Sequence, residues 1–199
     1  MKIVRKEVLK NQGDISSSQE FDIAVQEIAD AISKVVWPLH SPSFSINPTK
    51  KGNGVKPIKN ECMNYLAQKG WNLETRVKVK DGMSAGPIDA TKTIDGKLFA
   101  FEWETGNISS SHRALNKIAL GMLEKTLSGG VLILPSREMY KYLTDRVGNY
   151  QEIAPYFQVM KSLQISEGYL AVIEIEHDFD DPQAPLIPKG TDGWANFSS

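Results

Sequence analysis

Three carboxylates define the chemistry open to this chain: Asp89 in the segment GPIDA, and Glu102 and Glu104 in FAFEWETG. Side chains alternate along a strand, so a strand over 97–104 puts Leu98, Ala100, Glu102 and Glu104 on one face and Phe99, Phe101 and Trp103 on the other. The aromatic face is the natural core face, which leaves the two glutamates side by side at one end of the opposite face. Asp95-Gly96 is a strong signal for a two-residue hairpin loop joining this strand to another over 87–94. That loop sets the register: Asp89 faces Glu102 with Cβ atoms about 5 Å apart, while Ile88 meets Trp103 and Ala90 meets Phe101 on the apolar side. Three carboxylates so close repel one another, and left alone at least one keeps its proton. A divalent cation removes the conflict. Mg²⁺ is a hard ion taken by one or two carboxylates together with phosphate oxygens, and a pair of such ions can activate a water and stabilise the leaving oxygen of a phosphodiester. An exposed acidic strand end, its charges met by nearby lysines, is the alternative. A glycosidase pair is another carboxylate chemistry, but sugar sites usually set aromatics beside the acids, and here the aromatics fall on the wrong face.

Around this hairpin the sequence predicts two helices and a strand before it and an α-β-α-α-β run after it. Residues 17–36 carry Phe21, Val25, Ile28, Ile32 and Val35 at helical spacing, with Ser18 as N-cap and Trp37-Pro38 as the stop. A polar loop spans 39–55. A second helix covers 57–69, with Pro57 in its first turn and Gly70 at its exit. Residues 73–80 alternate as a strand, and 81–86 form a turn. A helix over 109–126 presents Leu115, Ile118, Ala119, Met122 and Leu123 on one side, closed by Gly129-Gly130. Val131 to Leu134 forms a continuous apolar run, the mark of a strand buried on both faces. Ser136 caps a helix expected to reach Val147, a further helix over 151–163 is interrupted at Pro155, and 168–176 is a strand. The tail over 178–199, with Pro182, Pro185 and Pro188, shows no periodicity and is expected to be mobile in the free protein. The order α-α-β-β-β-α-β-α-α-β implies an α/β fold, a mixed central sheet flanked by helices on both faces, in one domain over 1–199.

Composition sets outer limits. The chain has 199 residues, 41% hydrophobic and 24% charged, in the ordinary globular range. No apolar run approaches the ~18 residues of a membrane span, and the N-terminal segment lacks the apolar core of a signal peptide. The single cysteine, Cys62, excludes an intrachain disulfide and fits a reducing cytosol. A net charge of −1 does not advertise nucleic-acid binding. Contact with a polyanion would rest on local clustering, as at Lys50, Lys51, Lys56 and Lys59, a stretch without an acid that reads equally as a solvated loop. His40 and His177 have no neighbours at zinc-ligand spacing.

The hairpin resembles the P-D…(D/E)-x-K nuclease motif, with Ile88-Asp89 in the first position and Glu102-Trp103-Glu104 in the second. Glu104 stands where that superfamily usually has lysine. This variant, followed by TGNISSSHR, resembles type II restriction endonucleases of the BamHI type. So do, in the same order, GVKPIKNEC (54–62), GPID (86–89), ETGNISS (104–110), HRALNK (112–117), YLTDRV (142–147), PYF (155–157) and PLIPKGTDG (185–193). The resemblance covers nearly the whole chain and implies a compact member of the family with a restriction-endonuclease-like core.

It also implies roles. Asp89, Glu102 and Glu104 match the catalytic carboxylates; Asp89 and Glu102, with Glu74 as a fourth acid, would hold one or two Mg²⁺ ions per site. Glu104 would act as general base. Asn107, Ser109 and Arg113, at the start of the helix after the hairpin, match base-reading residues, and Asp145 and Arg146 match a second reading pair. Their side chains have the donors and acceptors that base edges require: Arg suits guanine O6/N7, Asp suits cytosine N4–H and Asn suits adenine. In the tail, Lys189, Gly190, Asp192 and Gly193 match a segment that reaches the minor groove, and Lys59 is carried over as a further DNA contact. No organic cofactor is implied. The resemblance predicts double-stranded DNA as substrate, cleavage within the palindrome GGATCC after the first G, and a homodimer with one half-site per subunit. It also predicts bacterial cytoplasm as the location and a methyltransferase that acts on the same site without having to bind this chain. A repair or recombination nuclease of the same fold is the alternative enzyme, opposed by Asn107, Arg113, Asp145 and Arg146. A DNA-binding protein without cleavage is opposed by the three carboxylates.

Overall fold

The computed structural model describes residues 1–77, 85–144 and 146–189. Its frame is a six-stranded mixed sheet. The strands are β1 (Lys2–Gln12), β3 (Asn72–Arg76), β4 (Pro87–Ile94), β5 (Lys97–Trp103), β6 (Leu127–Pro135) and β7 (Gly168–Glu176), and they lie in the order β1-β7-β6-β5-β4-β3. β5, β6 and β7 run parallel, while β1, β4 and β3 join antiparallel at the two sides.

Helices cover both faces, as the order of elements implied. α1 (Gln19–Ser33) and α2 (Lys56–Gln68) lie on one side, where Phe21, Ile28, Ile32, Ile58 and Leu66 meet Phe99, Phe101 and Trp103 from β5. α3 (Ile108–Leu123), α5 (Tyr150–Ile153) and α6 (Phe157–Ser162) lie on the other, where Leu115, Ile118, Ile153 and Phe157 meet Ala100, Leu132 and Val172. Each fully buried side chain of this kind contributes about 1.5–3 kcal/mol. β6 is buried along its whole length, as a strand covered on both faces must be. Cys62 is a buried free thiol in the first cluster, and burial pushes its pKa up. Among the described residues, no helix is long and apolar enough to cross a membrane.

Several elements differ from expectation, each for a physical reason. β1 was not legible. It is an edge strand with five charged residues, and its apolar residues come in adjacent pairs, Ile3-Val4 and Val8-Leu9. The pairing with β7 explains the broken alternation, because the register shifts between Ile3 and Arg5 and again between Val8 and Lys10. Gly129-Gly130 lies inside β6 instead of closing α3. A Cβ on Gly130 would stand 2.8 Å from the Ala100 side chain, so the glycine lets β6 approach β5. The helix capped by Ser136 is a single turn, α4 (Arg137–Tyr140). Beyond it the chain pairs with 51–53: Asn53 N–H donates to the Tyr142 carbonyl at 2.9 Å and Thr144 N–H to the Asn53 carbonyl at 2.7 Å.

The first part of the tail is held against the body. β2 (Ser45–Ile46) pairs in parallel with β8 (Phe179–Asp180), Ala184 and Ile187 are buried, and Trp37 Nε1–H donates to the Pro185 carbonyl at 2.7 Å. Gly54 N–H donates to the Ile187 carbonyl at 2.7 Å. A Cβ on Gly54 would meet the Pro188 carbonyl at 1.9 Å, so only glycine permits this approach.

Candidate active site

The hairpin forms in the register set by Asp95-Gly96, with Ala90 opposite Phe101, Lys92 opposite Phe99 and Ile94 opposite Lys97. The ladder then ends. Ile88 packs on the α3 side of the sheet with Leu115 and Ile118, away from Trp103, which belongs to the α1/α2 side. The expected Ile88–Trp103 pair is therefore not made. At this point Asp89 bonds through its side chain: its Oδ2 accepts the Trp103 N–H at 2.8 Å. The carboxylate thus takes over a strand hydrogen bond and is fixed at the end of β5.

Asp89, Glu102 and Glu104 line one cleft, together with Arg113 and Lys117 from α3 and the backbone of 85–87. Glu102 is 1% exposed. Burial, then the charge of Asp89, pushes its carboxyl up to about 7 against the pull of Lys117. Glu104 is raised in the same way, first by burial and then by Asp89, with Lys59, Lys117 and Arg113 opposing. Glu104 is anchored through its N–H, which donates to the Ile133 carbonyl at 3.0 Å.

Two lysines complete the site. Lys59 on α2 stands 2.5 Å from Asp89 Oδ1. Lys117 stands 2.5 Å from Glu102 Oε1 and also bonds the Pro87 carbonyl. Lys117 was missed in the sequence. The available signal was its place one turn after Arg113 on the helix that follows the hairpin. Among the described residues, no three carboxylate, imidazole or thiolate groups are drawn together at metal-holding spacing; the two ammoniums take the carboxylate oxygens instead. The donor set nevertheless fits a hard divalent cation. All its ligand atoms are oxygens, and Glu102 Oε1 is buried with its charge compensated by Lys117 but without a well-directed hydrogen bond.

Among the described residues expected to read bases, Asn107, Ser109, Arg113 and Arg146 lie at or beside the start of α3, and Arg113 lines the cleft. Asn107 is the N-cap of α3, its Oδ1 accepting the Ser110 N–H at 3.0 Å. Asn107, Ser109, Arg113 and Arg146 are exposed. An isolated antiparallel bridge joins Asn107 to Val147, and Gly148 N–H donates to the Gly106 carbonyl at 2.8 Å. Arg146 (φ 69°) is thereby carried to the start of α3. His112 packs its ring edge-on against Tyr156 at 4.7 Å. Lys189 is exposed at the end of the docked tail. Glu74 is not brought into the cleft: it is exposed on β3 at φ 51° and does not line the site. Asp145, Gly190, Asp192 and Gly193 lie outside the described residues.

Comparison with known proteins decides the family. The model of the family described as "Restriction endonuclease BamHI" matches residues 1–194. The chain belongs to the BamHI family of restriction endonucleases. Among members of this family it is 60% identical over 195 residues to type II restriction enzyme OkrAI of Oceanobacter kriegii, covering 98% of this chain and 99% of that one. It is 34% identical over 206 residues to type II restriction enzyme BamHI of Bacillus amyloliquefaciens, covering 98% and 94%. In fold, it is similar to the crystal structure of restriction endonuclease BGLII complexed with a DNA 16-mer, at a TM-score of 0.62 and 11% identity, over 89% of this chain and 81% of that one. The BamHI-family core is thus a restriction-endonuclease-like α/β fold, and the expected nuclease class holds over the whole length of the chain.

Proposed function

We propose that this BamHI-family enzyme cleaves double-stranded DNA at GGATCC, after the first G, with Mg²⁺ held by Asp89 and Glu102. The observation that carries the reading is the cleft of Asp89, Glu102 and Glu104 opening beside the N-terminus of α3, where Asn107, Ser109 and Arg113 are exposed. Glu74 is proposed as an accessory acid that would act only after local movement of β3. When bound, the cation supplies charge neutralisation at the phosphodiester and acidifies a water molecule. The protein's own residues do the rest. Asp89 is immobilised by the Trp103 N–H on Oδ2, so its other oxygen, Oδ1, which Lys59 meets, keeps a fixed direction. Glu104, whose carboxyl is raised by burial and by Asp89, is a stronger base than an exposed glutamate and takes the proton from the attacking water. Lys59 and Arg113 offset the acidic charge where the phosphate must approach.

For recognition, Arg113 and Arg146 carry guanidinium forks suited to guanine O6/N7, and Asn107 has an amide donor left after its cap bond. Asp145 and the tail residues Lys189, Gly190, Asp192 and Gly193 are assigned to the same interface, the tail to the minor groove. A palindrome calls for a two-fold dimer. Leu120 and Leu123 on α3, and Tyr156 and Val159 after Arg146, are 37–56% exposed, an apolar surface that a second copy would cover. A methyltransferase of the same specificity, acting independently in the bacterial cytoplasm, would protect host DNA.

Digestion of a plasmid with a single GGATCC in Mg²⁺, with sequencing of the ends, tests this. One cut leaving a 5′ GATC overhang is expected. Random nicking, or ends at another sequence, would overturn it.

A further inference from the structure

With every group ionised, the cleft is balanced in formal charge. Among the described residues, three carboxylates, Asp89, Glu102 and Glu104, meet three cationic side chains, Lys59, Lys117 and Arg113. Of the cations, Lys117 is held most tightly. Its side chain is 11% exposed against 31% for Lys59, and its ammonium is shared between Glu102 Oε1 and the Pro87 carbonyl. Both partners belong to the strand pair that carries the carboxylates. A divalent cation entering a balanced, buried site must either leave excess positive charge there or displace a charge already present. The ammonium on Glu102 occupies the oxygen that such an ion would take.

We propose that Lys117 is the resident counter-ion of Glu102, and that cation loading is an exchange in which the ammonium gives up this carboxylate. The proposal rests on the reading of Glu102 as a metal ligand. No bond to carbon or phosphorus changes: one Nζ···Oε1 ion-pair contact is lost and one oxygen–cation contact is gained. The exchange has a directional consequence. Lys117 lies one turn beyond Arg113 on α3, so the ammonium it frees stays on the same helical face as the proposed guanine reader. Lys117 is therefore a positioning residue: it keeps Glu102 in place without the cation and reports cation loading to α3.

The test is Mn²⁺ binding to the free protein by titration calorimetry, with DNA absent. Removing a competing charge within contact distance should tighten binding by about tenfold or more in Lys117→Met, in line with the size of charge–charge effects at such separations. Lys117→Arg should stay near wild type, and Glu102→Gln should lose binding. Glu102→Gln that binds Mn²⁺ like wild type would sink the metal-ligand reading itself. Loss in Glu102→Gln with unchanged or weaker binding in Lys117→Met would sink the exchange alone. The wild-type protein gives a second reading that needs no folded Lys117→Met. In a ¹⁵N-lysine spectrum, the protected Nζ signal missing from Lys117→Arg should vanish on addition of Mg²⁺. Persistence of that signal at saturating Mg²⁺ would overturn the proposal.

Discussion

Glu102 is the side chain whose environment has the most measurable consequence. Its carboxyl is pushed from 4.5 to about 7 by burial and by Asp89. A carboxyl raised on folding binds its proton more tightly in the folded state, so the folded protein gains stability as pH falls. The window follows from the two values. The penalty is fully present above about 7, shrinks as pH falls through 7, and is gone below 4.5. In the presence of a chelator, the melting temperature should therefore rise between pH 8 and pH 6. Divalent-cation affinity should fall over the same range, because the cation needs the ionised carboxylate. Calorimetric melting and Mn²⁺ titration at matched pH check the two halves. A melting temperature that falls monotonically from pH 8 to pH 6, with unchanged cation affinity, would contradict the assignment. The sequence predicted mutual repulsion and a retained proton, but not which carboxylate keeps it. The sequence brings three carboxylates together, but whether a fixed cation, a proton or a lysine answers them depends on Lys59 and Lys117, which arrive from separate helices.

The hairpin and α3 show what a local pattern can and cannot predict. The β4–β5 register follows from one two-residue loop, and Ala90 does face Phe101. The departure at Ile88 was not legible. It depends on Asp89 taking the Trp103 N–H and on an apolar surface that α3 supplies from outside the hairpin. Similarly, a charged edge strand with two bulges hides its period, and Gly129-Gly130 reads as a helix stop until β5 is seen lying against it. At the start of α3 the two readings of Asn107 coexist. Its Oδ1 caps the helix at 3.0 Å, and its Nδ2 is proposed to face a base. Asn107→Asp separates them, since Asp caps as well as Asn but has no donor. Stability should then change by less than about 0.5 kcal/mol, whereas Asn107→Ala should cost about 1 kcal/mol. Both variants should lose preference for GGATCC over a single-base variant. Full preference in Asn107→Asp would leave the residue as a cap only.

For the molecule as a whole, the residues proposed to cut and those proposed to read are joined by a short piece of backbone. Glu104 follows the last residue of β5, Asn107 opens α3, and the Gly106–Gly148 and Asn107–Val147 contacts bring the Arg146 segment to the same point. On the other side of the sheet, Gly54 and Ile187 tie the tail to the start of α2, the helix that carries Lys59 to Asp89. The order of helices and strands predicted a mixed sheet with two covered faces. Which segments would converge on one cleft was supplied by the family resemblance and not by periodicity, because those contacts span most of the chain. Glu104, beside Asp89 and Glu102, is proposed to perform the chemistry while α3 does the reading. Single-turnover cleavage of a saturated GGATCC duplex by wild type and Glu104→Gln in Mg²⁺, with affinity for the same duplex measured in Ca²⁺, tests it most directly. Cleavage should slow by at least about a thousandfold, in the upper part of the range for loss of a general base, with affinity within about threefold of wild type. Wild-type cleavage by Glu104→Gln would contradict it.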